Sequence, residues 1–165
     1  ELLKEAHAKS VSTSMVSVHG QGAQAAADMN DVRSPETYIG YARAENFASP
    51  NGLRRDVERS YTVPDHLHLN QWALAGQWVD HRQAAVLESA GGKIVFRFHA
   101  RDLHLVLGPS QDGKPVHFRV TIDGQAPGEN HGMDTDAQGN GVVIDHRLYQ
   151  LIRQKGPIRD HTFVI

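Results

Sequence analysis

The sequence predicts an all-β fold: an antiparallel β-sandwich with jelly-roll topology, preceded by a short helical tail and a linker. Three observations predict it. Beyond Arg33 the apolar residues come in short alternating runs punctuated by Gly, Pro, Asn and Asp, the pattern of strands with one buried face. Asp123-Gly124 directly follows one such run and is a strong signal for a type I′ hairpin turn. Almost no stretch of this region repeats its apolar residues at helical spacing. A closed barrel is the alternative, whereas the lack of a fixed internal period sets aside propellers and solenoids.

Taken in order, Glu1-Leu2-Leu3-Lys4-Glu5-Ala6 is built from helix formers and reads as the last helix of a preceding domain. From Val11 to Asn30 the chain is rich in Ser, Gly, Ala and Gln with few large apolar residues, a linker composition with a short helix predicted over Ala23–Met29. Residues 1–32 are therefore assigned to tail and linker, and 33–165 to the sandwich, whose strand-like apolar end Thr162–Ile165 reads as a cut. Strands are predicted at Tyr38–Arg43, Arg59–Val63, Asn70–Gly76 and Ala84–Leu87. In Ile94–His99, Ile94, Phe96 and Phe98 should point inward and Val95, Arg97 and His99 outward. Leu103–Leu107 repeats the pattern after a three-residue connection and is predicted to pair with it. Val116–Ile122 should turn Val116, Phe118, Val120 and Ile122 inward and continue through the Asp-Gly turn into a further strand. Arg147–Ile152 and Thr162–Ile165 complete the set.

Composition narrows the chemistry. With 17 Lys and Arg against 19 Asp and Glu the formal charge is -2, so no global field draws the chain to nucleic acid or an anionic membrane. The absence of cysteine excludes disulfides, thiolate metal sites and Cys-x-x-Cys redox chemistry within these residues. No apolar run approaches the about 20 residues of a membrane helix. No Gly-x-Ser-x-Gly elbow, His-Glu-x-x-His pair, Walker loop or dinucleotide fingerprint is present, so the chain reads as non-catalytic.

Four phrases carry a resemblance: Ser34-Pro35-Glu36-Thr37-Tyr38-Ile39-Gly40-Tyr41-Ala42-Arg43-Ala44-Glu45-Asn46-Phe47, Leu69-Asn70-Gln71-Trp72-Ala73-Leu74-Ala75-Gly76-Gln77-Trp78, Phe96-Arg97-Phe98-His99-Ala100-Arg101-Asp102-Leu103-His104-Leu105, and Asp123-Gly124-Gln125 with Gly139-Asn140-Gly141. Together they resemble the C-terminal domain of bacterial thioredoxin-like proteins of the cytochrome c biogenesis type, including mycobacterial membrane-anchored members. The resemblance implies a carbohydrate-binding-module-like sandwich, here truncated before its final strand, that follows a thioredoxin-like domain, the latter carrying thiol–disulfide oxidoreductase activity. It implies an extracytoplasmic setting, periplasm or cell envelope, with a glycan or glycosylated protein as partner. A domain that docks a protein substrate, or only orients the redox domain, is the alternative.

The candidate site follows from the outward strand positions. Arg97, His99, His117 and Arg119, with His104 between, would form a polar sheet face suited to sugar hydroxyls or carboxylates, or simply a solvated surface. Trp78, Tyr38 and Tyr41 are the rings proposed to stack on a sugar, core packing being the other reading for Trp78 and for at most one of the two tyrosines, while Trp72 is assigned to the core. Asp134, Asp136 and Asn140 alternate as in a calcium loop but lack its closing bidentate Glu; the other reading is a polar connection that caps its own backbone. His66-x-His68, with Asp65 and His81 nearby, is a metal pattern that lacks a third ligand fixed by the sequence.

Overall fold

The computed structural model describes residues 20–26 and 28–165. The predicted tail helix and the first part of the predicted linker fall outside the described residues.

The described fold is all-β and antiparallel throughout its ten strands. They are β1 (Glu58–Tyr61), β2 (Trp72–Asp80), β3 (Ala85–Leu87), β4 (Lys93–Phe98), β5 (Asp102–Leu107), β6 (Val116–Arg119), β7 (Thr121–Ile122), β8 (Asn140–Val143), β9 (Arg147–Arg153) and β10 (His161–Val164). One sheet runs β1-β2-β4-β10-β7, with β3 also paired to β2; β5 pairs with β9 and β6 with β8 as two separate ribbons. This order does not establish a jelly-roll path. Gly76, at φ +91°, sits where β2 changes partner from β4 to β3. A Cβ there would come within 2.8 Å of Gly92, so the crossing strands require the missing side chain.

The main core is shared by all three sheets. Phe98, Leu103, Val120, Ile122, Val143, Tyr149, Leu151, Ile152 and Phe163 form one buried cluster, drawn from the large sheet and both ribbons. Val116, Phe118, Val120 and Ile122 face inward as the alternation predicts. The run breaks at Val120, however: β6 pairs with β8 in one layer and β7 with β10 in the other. A second cluster, Tyr61, Trp72, Leu74 and Trp78, is covered by Ile39, Ala44, Phe47 and Leu53 from a loop. Phe47 meets Trp72 and Tyr61 edge-on, with ring centroids 4.7 and 5.6 Å away.

Several local expectations change. Tyr38–Arg43 is a bend and turn, because its Tyr41 and Ala42 N–H groups donate to His81 and Arg82 carbonyls beyond the end of β2 and extend no ladder. β4 and β5 are not neighbours: β4 pairs with β2 and β10, β5 with β9, and the chain changes layer over His99–Arg101. The Asp123-Gly124 turn has positive φ at both positions, as type I′ requires. It is followed by a single bridge, Ile122 to Gln125, and not by a strand. In place of a helix over Ala23–Met29 there are single 3-10 turns at Gly22–Gln24 and Met29–Asp31. That segment lies on the sandwich. The buried Gln150 side chain donates to the Gly22 carbonyl at 3.0 Å, and Arg101 donates to the Ala26 carbonyl at 2.6 Å.

Candidate functional site

Two depressions bring chemistry-bearing side chains together. The larger, about 500 Å³, opens between the end of the β6–β8 ribbon and β9. His117 enters it from β6, Asn140 to Val142 from β8, Asp134 and Asp136 from the loop before β8, and Arg147 and Tyr149 from β9. It unites residues that the sequence presents in two unrelated patterns, His117 of the polar face and the Asp134–Asn140 loop. β8 itself is missing from the predicted strands, because Asn140-Gly141 before two valines reads as a continuation of the turn.

The groove is held open by local hydrogen bonds. Asp134 accepts from Arg147 at 2.6 Å and from the Gln150 N–H at 2.8 Å. Burial opposes its ionisation, but these bonds outweigh burial and hold the carboxyl below its ordinary value. Asp136 accepts from the Asn140 side-chain amide and backbone N–H, which lower its carboxyl in the same way. These carboxylates thus serve the protein's own donors, the backbone-capping arrangement, and among the described residues no group of three or more His, Asp or Glu is placed to hold a metal ion. Arg147, tied to Asp134, lies over the Tyr149 ring with its guanidinium carbon 3.7 Å from the centroid. Tyr149 is 1% exposed, and its hydroxyl accepts from the Ile144 and Asp145 N–H groups and donates to the Asp145 carbonyl. Met133 and Ile144 stand at the rim, 65% and 57% exposed.

The second depression, about 390 Å³, lies under the segment Val63–Leu67 on the outer side of β4 and β10, with Arg97 and Thr162 in its wall. Alternation places Arg97 and His99 side by side on an open face, but the chain turns out of β4 at His99, which is 5% exposed. Its Nδ1 stands 2.6 Å from Asp160 Oδ1 and its Nε2 3.0 Å from Asp31 Oδ1. Asp31 comes from the N-terminal 3-10 turn Met29–Asp31, so this histidine is a tie between segments and not a surface donor. His104 is also withdrawn: its Nε2 is buried without a hydrogen-bond partner and burial pushes its imidazole down.

The proposed stacking rings do not converge. Trp78 is 6% exposed, packs in the second cluster and donates its indole N–H to the Ala75 carbonyl at 2.7 Å. Trp72 is fully in the core as expected. Tyr38 bonds Glu36 and is covered by Arg43, and Tyr41 donates to Asp56 at 2.9 Å. Arg119 is exposed and donates to the Gln138 carbonyl. His66 and Asp65 line the second depression, whereas His81 pairs with Asp56.

The described residues thus form an all-β antiparallel domain with an N-terminal segment fastened to it and no thiol of its own. The family model for the thioredoxin like C-terminal domain matches residues 34–165, and the chain belongs to that family. Among individual proteins it is similar to Protein DipZ of Mycobacterium bovis and Protein DipZ of Mycobacterium tuberculosis, each 30% identical over 94 residues. The match covers 53% of this chain but only 13% of either relative.

Proposed function

We propose that this is a non-catalytic accessory domain of an extracytoplasmic thioredoxin-like thiol–disulfide oxidoreductase linked to cytochrome c biogenesis, and that it docks the protein substrate through the groove beside β8 and β9. The observation that carries this reading is the distribution of rings. Sugar sites use open aromatic faces, yet both tryptophans are buried and the groove's Tyr149 is covered by Arg147. The groove instead offers exposed Met133 and Ile144 beside Arg147, His117 and carboxylates, a mixed surface suited to a polypeptide segment. Family membership supports the redox context, since the sequence has no cysteine of its own and the thiol chemistry belongs to the thioredoxin-like part.

The test uses the parent protein carrying Ile144→Asp, assayed on an unfolded disulfide-bearing protein and on a small synthetic disulfide. A raised KM for the protein alone supports docking. Equal loss on both substrates, or no loss on either, counts against it. The carbohydrate reading is tested in parallel by calorimetry with oligosaccharides, where saturable binding that survives Ile144→Asp would displace the docking proposal.

A further inference from the structure

We propose that the second depression, under Val63–Leu67, is a binding site for the carboxylate end of a polypeptide, with Arg97 as its anchor. This site is separate from the β8–β9 groove and does not depend on the docking proposal.

Arg97 is a cation whose donors the protein uses only in part. A guanidinium carries five N–H donors in a planar fork that matches a carboxylate. Arg97 uses one nitrogen for Thr162 Oγ1 at 3.2 Å, while its other terminal nitrogen stands 3.9 Å from Asp160 Oδ2, beyond hydrogen-bonding reach. Asp160 meets His99 through its other oxygen, Oδ1, at 2.6 Å. The side chain is 33% exposed, so the donors of its fork that the protein leaves unpaired stay open to a ligand.

The cavity around it has the right chemistry for a chain end. Val63, Pro64, Leu67 and Val95 supply apolar wall beside the guanidinium, and the volume of about 390 Å³ admits a terminal residue with its neighbour. Capture of a C-terminal carboxylate next to a pocket for the last side chain is a recurrent mode of peptide recognition. A sugar acid would offer the same carboxylate but no apolar body for these walls. Two other titratable groups line the site: Asp65, which opposes an anion, and His66.

The same arginine stands at one end of a row in which basic and acidic side chains alternate. Arg33 Nε is 3.4 Å from Asp31 Oδ1, Asp31 meets His99, His99 meets Asp160, and Asp160 faces Arg97.

The experiment is calorimetric titration of the 165-residue chain with N-acetyl-leucine, N-acetyl-leucine amide and glucuronate. The proposal expects binding of the acid, at least about tenfold weaker binding of the amide, and a similar loss in Arg97→Gln, because the charge-assisted pair supplies most of the attraction. Asp65→Asn, an exposed change, should tighten the acid by removing a like charge. It keeps the test meaningful if Arg97→Gln melts early. Equal binding of acid and amide, or an affinity unchanged in Arg97→Gln with Asp65→Asn also without effect, overturns the site. Glucuronate binding as tightly as N-acetyl-leucine overturns its assignment to a polypeptide end.

Discussion

The two hydrophobic clusters are closed by different means. The main core lies between sheets, and every wall is a strand whose alternation aims side chains into it. The second cluster has strands on one side and the 39–53 segment on the other, with Phe47 set against Trp72 and Tyr61. A sheet lid satisfies its backbone by repetition, whereas a loop lid must fasten itself bond by bond. Here Trp72 Nε1 donates to the Glu45 carbonyl and the Ser49 hydroxyl exchanges bonds with Leu74 N–H and carbonyl. The difference teaches where stability is cooperative and where it is local.

Replacing a ring in each lid breaks the comparison most strongly. Phe98→Ala, at a position 1% exposed, is expected to lower unfolding free energy by about 3–5 kcal/mol in urea titration. Phe47→Ala, half-buried, should cost about half as much and increase hydrogen exchange in residues 39–56 before the β4 and β10 amides respond. Equal costs with simultaneous exchange would mean that the loop and the sheets form one cooperative unit.

A smaller effect distinguishes the clusters by pH. Asp80, at the end of β2, is fully buried with neither carboxylate oxygen hydrogen-bonded, and burial raises its carboxyl to about 6. Because the folded value lies above the unfolded one, the folded state holds this proton more tightly. The contribution is complete below the unfolded value and fades as pH rises through about 6. Between pH 4.5 and 7.5 the wild type should lose about 2 kcal/mol through this group, a slope that Asp80→Asn removes. Parallel slopes in the two proteins would refute the assignment.

The strand alternation of β4 to β6, the core position of Trp72 and the type I′ turn were all legible from residue order, because each depends on neighbours within a few positions. Partnership was not. His99 alternates outward, and what buries it is Asp160 and Asp31, 61 and 68 residues away. His117 and the Asp134–Asn140 loop belong to one groove only because β6 pairs with β8. Tyr38–Arg43 has strand-like composition, but its N–H groups find acceptors at the end of β2, so the same residues make part of a lid.

The smallest effect concerns the groove's rim. Asp136→Ala removes the acceptor for Asn140 and is expected to lower the denaturant midpoint slightly while leaving the core's exchange unchanged. A loss as large as that of Phe98→Ala would show that the loop is part of the core's cooperative unit.

The docking claim is tested most directly by NMR titration of the chain with an unfolded, disulfide-bearing polypeptide. The account predicts amide shifts concentrated at Met133, Ile144, Arg147 and Tyr149, absent in Ile144→Asp. Saturation with no shift at these positions, or the same shifts produced by an oligosaccharide, would contradict it.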